Sequence, residues 1–418
     1  MGKSWNIRCF LYGMVTSVVL VISVFLIIFK FTTTPRPPAP PDGVTMPHPW
    51  GAMDSDNLQD DADSDLEISI TESLLAEDPN QFDLDNDGVK EYKILALSGG
   101  GSNGAFGSGI LCGWSKSDNR PEFKIVTGVS TGALQATVAF LGPEYDYKLK
   151  DVYTEYGTDE IYRKRPPLLS LSRDALNSSW PLKKIIDGYV DEKMLADVAA
   201  KHAAGRRLFV GTTNMDTQEF VIWDMGKIAA SKRNGYIQLY RDVLLASASI
   251  PVLFPPVYFE VENEGKKYYE MHYDGGAYGN VLFSTLLLEF KDALEGTGIK
   301  PADVEIELYI IDNGKSLVKL ERNEVSPTIG SIASVTINNL FNITVNASLY
   351  RIYVLSKRYG VDFNLATIGK NSGLSLDPMK FDKKPMQRLF NYSYELSRNG
   401  YEWVKVPPGV DPNEIFAK

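Results

Sequence analysis

Two consecutive strand–turn–helix units constrain the fold of this chain more strongly than any other sequence feature. The first runs from the apolar stretch Tyr92–Leu97 through a glycine-rich turn into the helix-like stretch Ala105–Trp114. The second runs from the strand-like stretch Phe123–Thr127 through a tight turn into the apolar helix Ala133–Leu141. Successive units of this kind predict a parallel sheet with right-handed crossovers. Both turns should then open at the carboxyl edge of the sheet, where such folds bind their ligands.

The second turn reads Gly128-Val-Ser130-Thr-Gly132 and has the spacing GxSxG. Flanking glycines permit a strained bend between strand and helix, which pushes the serine hydroxyl out of the turn. The N-terminus of the following helix favours negative charge that develops beside that hydroxyl. Three fixed positions also occur in ordinary turns, so the motif predicts a nucleophile at Ser130 only if an oxyanion hole and a base accompany it.

The first turn, Ser98–Gly104, can supply such a hole. Gly99, Gly100 and Gly101 have no side chains, and their backbone N–H groups, with that of Ser102, can approach a substrate oxygen. A phosphate-binding loop is the alternative. The turn lacks the Gly-Lys-Ser/Thr ending of a P-loop, and a second glycine turn stands where a dinucleotide-binding fold needs an acidic residue.

A candidate base follows the strand-like stretch Lys267–Tyr273, which ends in Asp274-Gly275-Gly276. An aspartate at a strand end beside two glycines can turn its carboxylate toward the active-site edge, although Asp-Gly is also typical of a simple β-turn. His272 is a second possible base, because the period of two in a strand places it on the same face as Asp274. A hydrolase of the α/β-hydrolase kind would need such a histidine.

Four segments taken in order resemble the patatin-like phospholipase family. They are the GGGxxG loop at Gly99–Gly104, the GxSxG elbow at Gly128–Gly132, the Ala/Ser-rich segment ending in Phe-Pro-Pro at Ala246–Val257, and Asp-Gly-Gly at Asp274–Gly276. The resemblance covers about Lys93 to Leu286 and implies an α/β/α fold with a Ser130–Asp274 dyad. Asn103 departs from the family pattern, since many members carry Arg or Lys there, and this puts a substrate-phosphate role for that position in doubt.

The resemblance implies a serine lipid acyl hydrolase, of the phospholipase A or lysophospholipase type, that acts without cofactor or metal. We expect Ser130 to attack the ester carbonyl, Asp274 to take its proton, and N–H groups around Gly100 and Gly101 to hold the oxyanion. An aspartate with an ordinary pKa near 4 would keep such an enzyme active in mildly acidic solution. The alternative is a membrane-tethered lipid-binding or scaffold protein with this fold and no turnover.

The run from Cys9 to Phe29 is uncharged and almost wholly apolar, and as a helix it would extend roughly 30 Å. We interpret it as a transmembrane anchor. A cleaved signal peptide is the alternative, but the run is long for one and no A-x-A site follows it. The expected organisation is an anchor over 1–30, an extended Pro-rich and then acidic linker over 31–89, a catalytic domain over 90–290 on the extracytoplasmic side, and a C-terminal α/β extension over 291–418.

The composition excludes several other classes of protein. The net charge of -10, without a basic stripe, argues against a nucleic-acid partner. Cys9 and Cys112 lie far apart, which excludes a disulfide scaffold and a cysteine zinc site, and three scattered histidines do not make a metal site. Lipid ester substrates and the membrane are the expected partners, and the sequence indicates no oligomeric state.

Two further segments allow alternative interpretations. Asp83, Asp85 and Asp87 open like a calcium loop, but the twelfth position is Ile94 where a bidentate glutamate is required, and we predict a solvated acidic turn. Asn339–Tyr359 has the apolar periodicity of an amphipathic helix. We expect it to pack over the sheet, and a helix at a membrane surface is the alternative.

Overall fold

The structure of the protein is a computed structural model. It describes residues 10–23, 33–44, 49–54, 64–83, 85–166, 173–279, 284–314, 324–369, 374 and 377–411. The strands within this part of the chain are β1 (Ala52–Asp54), β2 (Lys90–Leu97), β3 (Ile125–Val129), β4 (Arg163–Lys164), β5 (Asn177–Ser178), β6 (Arg207–Asn214), β7 (Glu219–Asp224), β8 (Val257–Asn263), β9 (Lys266–Asp274), β10 (Val304–Asp312) and β11 (Asp362–Thr367).

One large sheet organises the molecule, and its strand order is β1-β7-β6-β3-β2-β10-β11, with the hairpin β8–β9 joined to it at β6. The strands β6, β3, β2, β10 and β11 are parallel to one another. β7 and β9 run antiparallel to β6, and β1 runs antiparallel to β7. The prediction of an α/β fold with a mainly parallel central sheet is therefore confirmed.

Helices cover both faces of this sheet. In chain order they are α1 (Asp65–Ala76), α2 (Gly104–Lys116), α3 (Thr131–Leu141), α4 (Asp146–Glu155), α5 (Thr158–Ile161), α6 (Trp180–Tyr189), α7 (Glu192–Ala203), α8 (Met225–Ser231), α9 (Tyr236–Ser247), α10 (Ser284–Thr297), α11 (Ile329–Tyr359) and α12 (Lys383–Arg398). The two predicted strand–turn–helix units are β2–α2 and β3–α3. β3 begins two residues later than predicted, where Ile125 pairs with Ile94 of β2, and Phe123 precedes the strand and packs edge-on against Trp114.

The core is divided by the sheet into two apolar layers. On one side, Leu95 and Val126 pack with the buried faces of α2 and α3. On the other side, Ile94, Ala96 and Ile125 pack with α1, α10 and α11. Because successive side chains of a strand point to opposite faces, β2 and β3 contribute to both layers. The arrangement has the three layers expected of an α/β/α fold.

The acidic segment before β2 does not behave as the extended linker that its charge predicted. β1 pairs with β7, and α1 buries Leu66, Ile70 and Leu74 against the sheet. Burying three such side chains stabilises the fold by about 1.5–3 kcal/mol each, which outweighs the mutual repulsion of solvent-facing carboxylates. The folded unit therefore begins well before Lys90.

The predicted anchor, Cys9 to Phe29, lies only partly within the described residues. Residues 10–23 form a helix, and the rest of the predicted span lies outside the described part of the chain. Within the ranges that the structure covers, no helix is both long enough and apolar enough to cross a bilayer. A membrane-spanning helix is therefore not supported here and stays a prediction from the sequence.

The amphipathic helix predicted over Asn339–Tyr359 begins ten residues earlier, as α11. Thr328 caps it, since its side-chain oxygen accepts a hydrogen bond from the backbone N–H of Ser331. Gly360 ends it in the left-handed conformation. Its C-terminal half buries Leu349 against the sheet, as expected for a packing helix.

Candidate active site

Ser130 lies at the sharp bend between β3 and α3, with φ 56° and ψ −126°. A non-glycine residue in this region of backbone space is strained, and such strain is held by close packing on both sides. A side chain at Gly128 would overlap the carbonyl of Gly132, and one at Gly132 would overlap the carbonyl of Leu97. Both glycines of the predicted elbow are thus required sterically.

A hydrogen-bond relay holds the backbone of this bend. The N–H of Ser130 donates to Ser247 Oγ at 2.9 Å, and Ser247 Oγ donates to the carbonyl of Gly211 at 2.7 Å. The relay ties the elbow to the end of α9 and to β6. Sequence reasoning did not assign a role to Ser247, although it lies in the Ala/Ser-rich segment that carried part of the family resemblance.

The register of the sheet explains how Asp274 reaches this bend. β3 pairs along β6 as far as Val129 opposite Gly211. β9 approaches the same edge of β6 from the other direction and places Asp274 opposite Thr212, the next residue. The end of β9 therefore meets the end of β3, and residues distant in sequence come into contact.

Ser130 and Asp274 form a direct pair. Ser130 Oγ donates to Asp274 Oδ2 at 2.6 Å, and the N–H of Gly276 donates to Asp274 Oδ1 at 2.8 Å. Gly275 lies close against the backbone of Gly211, with no room for a side chain. Asp274 is fully buried. Burial raises its pKa to about 7 against the opposing effect of the hydrogen bonds from Ser130 and Gly276, so the expectation based on a pKa near 4 is replaced.

His272, the alternative base, has other partners. Its Nδ1 lies 2.9 Å from Thr212 Oγ1 and its Nε2 lies 3.4 Å from Glu270 Oε2. The ring packs edge-on against Phe259. Although His272 precedes Asp274 by two residues on the same strand, the described contacts of its ring do not include Ser130, and the geometry favours the aspartate.

The glycine loop faces Ser130 from the end of β2. Gly101 has φ 56°, and a side chain there would overlap the carbonyl of Pro378. Gly100 lies equally close to the backbone of Asn313. The N–H groups of Gly100 and Gly101 have no acceptor among the described residues, and both glycines line a cavity that reaches Ser130. They are therefore available to hold an oxyanion.

One predicted donor is corrected by this geometry. The N–H of Ser102 donates to the carbonyl of Pro378 at 3.0 Å, and its hydroxyl donates to the carbonyl of Asp377. A donor already bonded to a carbonyl of the protein is not free for a substrate. Gly99 lines the cavity beside Gly100. The N–H of Thr131, at the first turn of α3, has no acceptor among the described residues and was missed by sequence reasoning.

The buried side-chain amide of Asn313 holds the glycine loop in place through hydrogen bonds. Asn313 Nδ2 donates to the carbonyl of Ser98 and to Gln135 Oε1, each at 2.9 Å, and Asn313 Oδ1 accepts from the N–H of Gly107 at 3.0 Å. Gly104 begins α2, and its carbonyl accepts from Gln135 Nε2. The position of Asn313 just after the apolar strand β10, at the same sheet edge, is the signal that could have identified it.

Two narrow cavities meet at Ser130. The first is about 40 Å³ and its walls are almost wholly apolar, including Leu134, Ile161, Phe254 and Met386. The second is about 30 Å³ and is lined by the glycine loop and by α11. Asn103 also lines the second cavity and is fully buried, so the departure from the family pattern places an amide there.

The acidic turn before β2 brings Asp83, Asp85 and Asp87 together, with carboxylate oxygens within 4.8 Å of one another. The carboxylates accept hydrogen bonds from backbone N–H groups of the turn, such as that of Gly88 on Asp83. Ile94 is buried in β2 and has no oxygen in its side chain. The loop therefore lacks the bidentate twelfth ligand, as the sequence indicated.

The chain was compared with protein-family models, with curated proteins and with solved structures. Residues 95–287 match the family model described as Patatin-like phospholipase. No curated protein matches this chain significantly. Among solved structures, the chain is similar to the crystal structure of VipD from Legionella pneumophila, with 12% sequence identity and a TM-score of 0.31. The match covers 74% of this chain and 66% of that chain, just under two thirds of its length. A TM-score of this size carries no weight for fold or function. The family model and the four motifs agree, and residues 95–287 of this chain match the patatin-like phospholipase family.

Proposed function

We propose that the chain is a serine lipid acyl hydrolase in which Ser130 is the nucleophile and Asp274 the general base. The observation that carries this proposal is the 2.6 Å contact between Ser130 Oγ and Asp274 Oδ2, made at a strained bend. A purely structural serine–aspartate pair needs no strained backbone, whereas a nucleophile projected from its turn does. The patatin-like domain supports the same reaction class.

The reaction needs two half-reactions. In the first, Ser130 Oγ attacks the ester carbonyl carbon while its proton passes to Asp274, and the N–H groups of Gly100 and Gly101 donate to the oxyanion. The tetrahedral intermediate then collapses, the bond to the alcohol breaks, and Asp274 returns the proton to the leaving oxygen. In the second, water attacks the acyl-serine and gives a proton to Asp274, which passes it to Ser130 as the fatty acid leaves.

The surroundings of Ser130 fit an apolar acyl chain. Leu134, Ile161 and Phe254 line the first cavity, and such walls offer no hydrogen bonds to a polar substrate. The second cavity has Asn338 and Asn342 of α11 beside the glycine loop, which suits the more polar alcohol portion of an ester. At about 40 Å³, the apolar cavity must widen before it can hold an acyl chain.

A fluorophosphonate probe tests the proposal directly, because it labels only serines activated for nucleophilic attack. We expect labelling of the native full-length chain at Ser130, shown by peptide mass spectrometry, and none after heat denaturation. Correctly folded protein that resists the probe, with no ester turnover, would favour the alternative of a lipid-binding scaffold. Product analysis from mixed lipids would then identify the alcohol portion and the position of cleavage.

We also infer from the sequence that the run Cys9 to Phe29 tethers the chain to a membrane, with the catalytic domain on the extracytoplasmic side. The support is the uncharged apolar composition of the run and the exposed apolar side chains of residues 10–22. Carbonate extraction of membranes that contain the full chain tests the tether: the protein should stay with the membranes. Release into the wash would refute it, and protease protection would test the orientation.

A further inference from the structure

The long helix α11 has an apolar face that the other described residues leave largely exposed, apart from the contact of the Tyr350 hydroxyl with the carbonyl of Pro408. Its large members at helical spacing are Ile332, Val335, Leu340, Ile343, Tyr350 and Val354, here called the α11 stripe. Leu340 is 54% and Ile343 is 63% exposed. The stripe extends roughly 33 Å along the helix axis. Single exposed apolar side chains are ordinary on a protein surface, but a continuous row of them marks an interaction surface.

The opposite face of the same turns reaches the candidate active site. Asn338, Phe341 and Asn342 line the cavity that contains Ser130. Phe341 also packs on a small apolar cluster that includes Ile161 and Phe254, two residues that line the first, apolar cavity. A surface that covers the α11 stripe is therefore separated from the nucleophile's cavities by the thickness of one helix.

The charges around the stripe indicate what kind of surface this is. The chain has no charged residue between Val325 and Tyr350, although its net charge is -10. Two exposed arginines, Arg351 and Arg358, follow at helical spacing on the same face. An apolar row with cations only around its C-terminal end is complementary to a bilayer with anionic head groups, since the apolar side chains enter the acyl boundary and the cations remain among the head groups.

We propose that the α11 stripe docks this protein onto an anionic lipid surface and places the cavities at Ser130 next to the bilayer. The inference rests on the proposed function for its purpose, because docking would deliver lipid esters to the site. It does not rest on that function for its test, because insertion of the stripe can be measured without turnover. This assigns the membrane-surface role to one face of α11, while the other face packs on the sheet.

Insertion is measured on the full chain with an environment-sensitive fluorophore. The label is attached at Ile343→Cys in a Cys9→Ser background, since Cys112 is buried and burial raises the pKa of its thiol. The matched control is Leu75→Cys, on an exposed leucine of α1, a helix that contributes no residue to either cavity. Both variants are mixed with phosphatidylcholine vesicles, with and without phosphatidylserine, that carry a quencher in the acyl region.

With anionic vesicles, the label at position 343 should brighten, shift to the blue and be quenched from the acyl region, whereas the label at position 75 should stay in water. A label at 343 that stays in water on vesicle-bound protein would overturn the proposal. So would a blue shift without vesicles that grows with protein concentration, because the stripe would then bind a second copy.

A second variant links docking to turnover. Leu340→Gln combined with Ile343→Gln should lower hydrolysis of vesicle lipid by about ten-fold or more, because two side chains lose their burial in the acyl region. Turnover of a soluble short-chain ester should be unchanged, since neither residue lines either of the two cavities at Ser130. Equal loss on both substrates would overturn the docking role. Absent turnover of the soluble ester by the native chain would count against the proposed function alone and leave the fluorescence result intact.

Discussion

The two ends of the parallel strands differ in whether a buried charged group has a counter-ion beside it. At the amino edge, the buried Lys124 pairs with Glu77, and Glu77 also pairs with Lys90 and accepts from Tyr92 OH. These four residues form what we call the amino-edge cluster. At the carboxyl edge, Asp274 is buried with two hydrogen bonds, and no cation pairs with it among the residues described.

The difference distinguishes charges that stabilise the fold, at the amino edge, from a carboxylate suited to accept a proton, at the carboxyl edge. A buried charge with a close counter-ion holds its surroundings together, as the amino-edge cluster holds the end of α1 against the sheet. Burial lowers the pKa of Lys124 to about 8 against the opposing effect of Glu77, so the lysine remains mostly charged at neutral pH. A buried carboxylate without a counter-ion has a raised pKa, and it is a base poised near neutral pH. Breaking each arrangement should therefore have opposite consequences for stability and activity.

The largest expected effect is on turnover at the carboxyl edge. Ser130→Ala removes the attacking oxygen, and kcat on a soluble ester should fall by about 10⁴-fold or more, with unchanged circular dichroism. The hydroxyl contributes no core packing, so the unfolding midpoint should stay close to that of the native chain. Retained turnover in this variant would show that another residue is the nucleophile.

The next largest effect is on stability at the amino edge. Glu77→Gln leaves Lys124 buried without a counter-ion, and the free energy of unfolding should fall by about 3–5 kcal/mol in urea titrations. Activity of the remaining folded protein should be unchanged, because the cluster lies at the other end of the strands.

The matched control adds Lys124→Met to Glu77→Gln. Removing both charges should restore most of the lost stability, since a well-packed apolar side chain replaces the buried lysine. If Glu77→Gln alone costs nothing, the amino-edge cluster does not stabilise the fold and the contrast between the two edges fails.

A backbone change at the glycine loop should have an intermediate effect on catalysis. Gly101→Ala adds a side chain that meets the carbonyl of Pro378 at a positive φ, so the loop must shift and kcat should fall by about 10²–10³. Gly265→Ala is the control, because Gly265 also has a positive φ, of 74°, but lies in open space in the β8–β9 turn. Equal kcat values in the two variants would show that Gly101 does not contribute to the oxyanion hole.

The smallest effect is a pH dependence. Asp274 must be ionised to accept the proton, and its pKa is raised to about 7. At pH 6, kcat/KM on a soluble ester should therefore be about ten-fold below its plateau at high pH. A profile that stays flat down to pH 5 would show a carboxylate with an ordinary pKa and would contradict the effect of burial on Asp274.

Much of the site was predictable because its signals are local. The elbow at Ser130, the glycine loop and the Asp-Gly-Gly turn each depend on short-range backbone chemistry that is visible in a few residues. The two strand–turn–helix units are also local signals, and they predicted that both turns lie at the carboxyl edge of the sheet.

What could not be predicted depends on tertiary placement. The acidic composition around α1 indicated a linker, because the sequence does not show that Glu77 meets Lys124 across the sheet edge. Ser247 and Asn313 are ordinary polar residues until the register brings them beneath the two turns. The raised pKa of Asp274 likewise follows from its burial, with no cation beside it in the described part of the chain, and a sequence displays neither feature.

The central claim is that the buried Asp274, which has no counter-ion among the described residues, is the base for Ser130, and Asp274→Asn tests it most directly. The amide keeps shape and hydrogen bonding but cannot accept a proton, so kcat/KM on a soluble ester should fall by about 10²–10⁴. Because the folded state binds the Asp274 proton more tightly than the unfolded state, its stabilising contribution is present below about pH 4 and lost as pH rises to about 7. The amide does not titrate, and the variant should be at least as stable as the native chain at pH 8.

His272→Gln, measured beside it with circular dichroism, should change kcat/KM of the folded protein little. The account predicts a catalytically crippled, stable aspartate variant and an active histidine variant. A mild effect of Asp274→Asn with a crippling effect of His272→Gln would contradict it and assign the proton to the imidazole.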